Sequence, residues 1–534
     1  MKHRKQEVAV LWPAIVLMSF AVACFLFFQL VYPYHFFFKG QIQLFLMSWS
    51  YVGTLFAKPA WAACLAGEFL TQFFYYDYAG ALILTLSLSL LLMLAYRVFL
   101  CILPAKWVAM VLALFVAVRE ASCHLYFGYT LSSSYALIGG LMMVLLLHKF
   151  LCCRWLYALG TVTIGSLICY WLFGYGVWAF LLFSVVTTWR TAVPVSLAFM
   201  SLLPPFRSHY NLKYADLCQY PGIGNMRGPA YEREIDMHIM HSYQTDNWDD
   251  VVATAEHDPL LESIRNNGQS QVMLSPEELS SASLRQFFYN LVQAQRGNLP
   301  DVLLKYYPNY LGTFTSLTQQ TPMMMYMNMH EYYWAIGDMS YAERAAFMSC
   351  VMVPGNRNAN CIKRLTECEL VKNEMQPAKK YLGLLLQTIP YKEWAMQASE
   401  DDRYRQKARF MNRQDSVSPR DNSHNIMTQL LRSNPENEVA LDYMLCSLLL
   451  VKEMENFKRD YDLFCTQRAH AKKLYQEAMC IWLMSHQAPE EEWQIYIEDQ
   501  KIVDRLNEYL TEGPSPKFAD TYWYYYDVQK PEIY

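Results

Sequence analysis

Hydrophobic and polar positions divide this chain near residue 206. Before that point apolar residues gather in seven runs, at 9–31, 79–96, 105–118, 131–148, 155–173, 175–189 and 191–206. A helix crossing a bilayer core needs roughly 20 apolar residues, with every backbone polar group bonded inside the segment, and the first run meets that need outright. Beyond residue 206 the runs give way to helix pairs set off by turn residues. The pattern predicts an all-α chain. It has a polytopic helical membrane domain over 1–206 with about seven spans, a linker over 207–229, and an α-helical repeat domain over 230–534.

The repeat expectation rests on a recurring turn. An apolar residue follows the turn and a second comes three positions later, as in Gly297-Asn298-Leu299 with Val302 and Gly337-Asp338-Met339 with Ala342. Asn373-Glu374-Met375 with Ala378 and Lys452-Glu453-Met454 with Phe457 repeat the pattern. The leading apolar residues are 40, 36 and 79 positions apart, the last nearly twice the others. Such periods predict a tetratricopeptide-like stack of helical hairpins, each burying its apolar face against its neighbours. The missing repeat falls at an inserted polar loop near 406–425, with Ser416, Ser418 and Pro419. The aromatic tail Tyr522–Tyr526 is expected to pack back on the last hairpin.

Charge sharpens the division. Residues 1–206 carry eleven Lys and Arg against only four carboxylates, Glu7, Glu68, Asp77 and Glu120, whereas the rest of the chain carries 33 against 44. An acidic C-terminal half lacks the basic stripe that nucleic acid requires. Lys2, Arg4 and Lys5 precede the first span, and threading seven spans places Arg97, Lys106, Lys149, Arg154 and Arg190 on the same side. The positive-inside rule then makes the N-terminus cytoplasmic and everything after Arg207 extracytoplasmic. The first apolar run exceeds a signal-peptide core and no small-residue cleavage site follows it, so it is expected to stay as an anchor. The fourteen cysteines divide equally between the halves; Cys152 and Cys153 sit among apolar residues, and no C-x-x-C spacing suggests zinc or redox chemistry.

Candidate chemistry lies first in the segment 32–78, read as an external amphipathic stretch between the first two spans. There Glu68 and Gln72 share a helical face and Asp77 follows. A glycosyltransferase using a lipid-linked donor has this layout, with a loop carboxylate acting as general base or holding a divalent metal. The chain lacks the paired acidic dipeptide of many such loops, and the plainer reading makes Glu68 and Gln72 the wet face of an interfacial helix. A second group, Arg119, Glu120 and His124, ends the third run, where ionisable residues default to a functional hypothesis; its plain reading is an interfacial cap. A third, Glu234, His238 and His241, has the spacing of metal ligands on one helix face but no evident fourth ligand. Gly222, Gly224 and Gly228 imitate a phosphate loop, yet Pro221 and Pro229 flank them and point to a turn-rich linker.

The stretch Gln43-Leu44-Phe45-Leu46, then Glu68–Tyr76 and Gly80-Ala81, resembles the N-terminal signature of a family of multi-pass inner-membrane proteins of unknown function from Bacteroidota. The Tyr522-Trp523-Tyr524-Tyr525-Tyr526 ending is similar to that family's C-terminus. The resemblance covers essentially the whole chain and implies a bacterial inner-membrane protein with a repeat-like domain attached; the charge asymmetry then puts that domain in the periplasm. The resemblance implies no reaction or catalytic residue. The expectation is a scaffold whose partners are the lipid bilayer and an envelope protein or glycan held by the repeats. No cofactor is predicted, and a divalent metal enters only with the transferase alternative. A transporter is the third reading, with Gly174-Tyr175-Gly176 as the one clear helix break.

Overall fold

The computed structural model describes residues 2–151, 155–222, 233–265, 273–307, 323–352, 357–409, 411, 423–465 and 472–529. Arg154, Cys152, Cys153, Gly224, Gly228, Pro229, Ser416, Ser418 and Pro419 lie outside them. Among the described residues every regular element is helical, and the one β pairing is an isolated bridge between Arg265 and Tyr306. The fold is all-α. The helices form two units, one of Met1–Glu234 with Gly383–Ala395, the other of Ile235–Leu382 with Met396–Tyr534.

Among the described residues of the first unit, five stretches are long and apolar enough to cross a membrane: Trp12–Val31, Ala79–Ile102, Leu131–Leu151, Trp155–Phe173 and Gly176–Met200. A further helix, Lys106–Cys123, spans 18 residues and carries Lys106, Arg119 and Glu120. Connections between consecutive helices from Ala79 onward are short, which makes neighbours antiparallel. Without a hydrophobic force between helices in lipid, close packing needs small residues at the contacts. A Cβ on Gly140 would sit 2.2 Å from the Gly176 carbonyl oxygen, and one on Gly176 would sit 2.0 Å from that of Ala136.

The helix Gly176–Met200 contains all but the first residue of the apolar run 175–189 and most of the run 191–206. It bends back at Thr188, whose φ of −141° and ψ of 54° leave the helical region. Trp178 and Phe199 would lie about 32 Å apart on a straight helix; their ring centroids are 5.9 Å apart. Pro194 removes a backbone donor beyond the bend. Around it, Thr188 Oγ1 donates to the Ser184 carbonyl at 3.0 Å and Thr191 Oγ1 to that of Thr188 at 3.0 Å, supplying donors that the broken ladder no longer provides. The second arm returns to the start of the first: Phe206 stacks on Tyr170 at 5.2 Å, and the Tyr175 amide donates to the Tyr220 carbonyl at 2.8 Å. Five helices therefore run through the unit while the sixth enters and leaves on one face. Arg97, Lys106, Lys149 and Arg190 lie at the end where the first helix starts. Exposed Trp107, Trp155, Tyr157 and Trp189 lie there with them.

Between the first two through-running helices the chain forms helices Pro33–Gln41, Trp49–Phe56 and Trp61–Thr71. Trp61–Thr71 joins the bundle, since a Cβ on Gly67 would fall 2.4 Å from the Ser132 backbone. Trp49–Phe56 buries Tyr51 and Leu55 but leaves Trp49 and Phe56 exposed. The distant segment Gly383–Ala395 belongs to this unit as well: the Met47 amide donates to the Gln387 carbonyl at 2.7 Å, and Tyr75 packs on Tyr391 at 5.2 Å.

The second unit is built on helical hairpins closed by one kind of turn. At Asp246, Gly297, Gly337, Asn373, Lys452 and Gln487 the backbone takes a positive φ. In each case the following residue's amide bonds five positions back, from Asn247 to Ser242 at 2.8 Å through to Ala488 to Leu483 at 3.0 Å. These are Schellman turns, which satisfy the carbonyls left open at a helix C-terminus. The four turns expected from the sequence are among them, and Asp246 and Gln487 add two more. Helices Pro276–Gln295 and Glu438–Leu450 are buried on nearly every face and form the middle of the unit. The aromatic tail closes the second of them: Tyr522 and Tyr525 hydroxyls donate to the Leu449 and Leu450 carbonyls at 2.8 and 2.6 Å.

Candidate functional site

The most heavily polar buried region of the first unit lies where Pro33–Gln41, the end of Lys106–Cys123 and the start of Leu131–Leu151 meet. Helical spacing of four puts His35 and Lys39 on one face of a Phe-rich helix, and that face turns inward. Lys39 Nζ donates to the His124 and Tyr129 carbonyls at 3.0 and 3.1 Å. The first of these closes Lys106–Cys123, so the ammonium sits at the negative end of the helix dipole. Among the described residues no carboxylate bonds to it directly, and burial pushes it down to about 7.

Glu120 and His124, the pair chosen from their spacing, are brought together here. Glu120 Oε1 accepts from Tyr129 Oη and from Ser134 Oγ, both at 2.6 Å, and His124 Nε2 lies 2.7 Å from Ser134 Oγ. Because Ser134 spends its proton on Glu120, its lone pair receives the His124 Nε2 proton. In this arrangement His124 is a donor to Ser134 and not its base, so the pair is not set up as a nucleophilic dyad. Ser133 and Ser134 are fully buried, and Tyr175 Oη donates to the Ser133 carbonyl at 2.6 Å. Burial, then the charge of Lys39, keeps the His124 imidazole well below its ordinary value, and His35 is lowered by the same two causes. Arg119 does not join the centre: it is exposed, and its Nη1 reaches Cys123 Sγ at 2.6 Å.

Glu234 is tied to this unit. Its Oε1 accepts the Tyr34 amide at 2.6 Å, its Oε2 lies 4.0 Å from His35 Nδ1, and burial holds its carboxyl up to about 7. His238 instead pairs with Asp250 at 2.8 Å. Among the described residues no group of three or more His, Cys, Asp or Glu is placed to hold a metal, so Glu234, His238 and His241 do not converge.

Glu68, Gln72 and Asp77 also go separate ways. Glu68 accepts the Tyr51 hydroxyl; Gln72 is buried, donating to the Phe69 carbonyl at 2.9 Å and accepting the Ile389 amide at 3.4 Å; Asp77 is exposed. Sequence reasoning missed Lys39, His35, Tyr129 and Ser134. The signal for the first two was present, a His and a Lys one helical turn apart inside a run of Phe.

Five membrane-length apolar helices and an all-α fold define the class as a helical membrane protein. Within that class the chain belongs to DUF6057, a family of unknown function whose model matches residues 9–221 and 187–529. No curated protein and no solved structure matches the chain.

Proposed function

We propose that this is an inner-membrane scaffold with a cytoplasmic N-terminus, presenting a tetratricopeptide-like domain outside the cytoplasm to an envelope protein or glycan. The observation that carries the reading is the series of six hairpin turns of one geometry, since stacked helical hairpins bind partners through their surface without chemistry of their own. Its sidedness is supported by five through-running helices, which put the chain's entry and exit at opposite ends of the first unit, and by the cations and Trp residues gathered at the entry end. A C-terminal alkaline-phosphatase fusion is expected to be active and a C-terminal fluorescent-protein fusion exported by the general pathway to be dark; the reverse pattern refutes the sidedness.

The transferase alternative places its base at Glu68. Glu68→Gln keeps the acceptor for Tyr51 and removes the charge. A scaffold tolerates this change, with near-normal complementation of a deletion strain, whereas a transferase loses function at unchanged abundance.

A further inference from the structure

The basic end of the first unit holds a groove of about 150 Å³ that opens on the outside of the bundle. Three through-running helices line it: Pro13 and Leu17 from the first, Leu92 and Met93 from Ala79–Ile102, and Met110 from Lys106–Cys123. Its polar rim is Tyr96 and Arg97, and Tyr96 packs edge-on against Trp12 at 6.4 Å. Arg97 is exposed and has no ion-pair partner among the described residues. Lys106 begins the next helix only four residues beyond Ile102, so a second cation lies at the same end.

In a bilayer such a groove meets acyl chains and no bulk water. Apolar walls alone would accept any chain. A guanidinium without a counter-charge at the rim adds a preference, because it binds phosphate oxygens in a fork and stands at the depth where Trp and Tyr mark the headgroups. We propose that this groove binds one anionic phospholipid, its acyl chain along Leu17, Leu92, Met93 and Met110 and its phosphate on Arg97. The site needs only a helical membrane protein and is independent of what the second unit binds.

Native mass spectrometry of the full chain in mild detergent, with phosphatidylglycerol and phosphatidylcholine added in equal amounts, tests it. The wild type is expected to retain one phosphatidylglycerol about tenfold over phosphatidylcholine, equivalent to about 1.4 kcal/mol. Arg97→Gln should erase that preference while keeping some retention of both lipids. Leu17→Trp, which fills the groove, should reduce retention of both. Equal retention of the two lipids by the wild type overturns the proposal, as does a preference that survives Arg97→Gln. Loss with Arg97→Gln but none with Leu17→Trp overturns the groove and leaves a surface charge effect. Should Arg97→Gln fail to fold, the wild-type comparison and Leu17→Trp still decide.

Discussion

Lys39 and Arg285 are buried cations, one in each unit, and their surroundings differ in kind. Lys39 meets two carbonyls at a helix end. Arg285 lies between two carboxylates, with Nε 2.7 Å from Asp236 and Nη1 2.7 and 2.8 Å from the two oxygens of Asp258. Arg364 repeats the second arrangement, 2.6 Å from Glu331 and 2.8 Å from Glu367. The chemistry of the side chains accounts for the choice. A lysine can surrender its proton when desolvation outweighs its partners, so neutral acceptors suffice; a guanidinium keeps its charge at any working pH and needs anions beside it. The first unit, apolar and poor in carboxylates, here uses the residue that can be discharged.

The contrast is broken most forcefully at Arg285. Arg285→Met leaves Asp236 and Asp258 buried and facing each other, and is expected to cost about 3–5 kcal/mol, read as a large fall in the thermal midpoint of the full chain in detergent. Adding Asp236→Asn and Asp258→Asn should recover much of that loss, because the penalty lies in the orphaned charge.

Lys39→Met is expected to cost less, about 1–2 kcal/mol, since the two carbonyls lose donors but no charge is stranded. Its pH dependence is the sharper test. The folded value near 7 lies below the unfolded one, so between them the unfolded chain binds the extra proton and stability rises with pH. The wild type should therefore gain on Lys39→Met as pH is raised from about 7 to about 10. An advantage that stays flat over this range would mean that Lys39 keeps its charge in the folded protein.

Glu477 gives an effect of similar size, with the opposite sign. It is 1% exposed, its Oε2 accepts the Tyr522 amide at 2.8 Å, and burial holds it up to about 7. A carboxyl raised in the folded state contributes stability below its unfolded value and loses it as pH rises through the folded one. Relative to Glu477→Gln, the wild type should lose roughly 1–2 kcal/mol between about pH 4.5 and 7.5, measurable by chemical denaturation.

How much of this was legible in the sequence follows the range of the contacts. Apolar runs mark every long helix of the first unit, and four of the six hairpin turns are readable from Gly, Asn or a polar pair followed by an apolar residue. Gln487-Ala488 escaped because neither residue favours a left-handed backbone, and the helix ladder forces the turn there anyway. Glu120 and His124 were found because four residues make one helical turn. Lys39 was not, because its acceptors lie 85 and 90 residues away. The place of Gly383–Ala395 beside Gln72, across 317 residues, has no local signature at all.

The bend at Thr188 fixes the parity of the bundle. A segment that enters and leaves by one face adds nothing to the count that decides where the chain emerges. Loss of the whole hairpin would leave the downstream chain on its original face, while loss of any one through-running helix would invert it. On the sidedness proposed above, length variation is therefore tolerable in the hairpin and ruinous elsewhere in the bundle, because only the through-running helices decide the side on which the chain emerges.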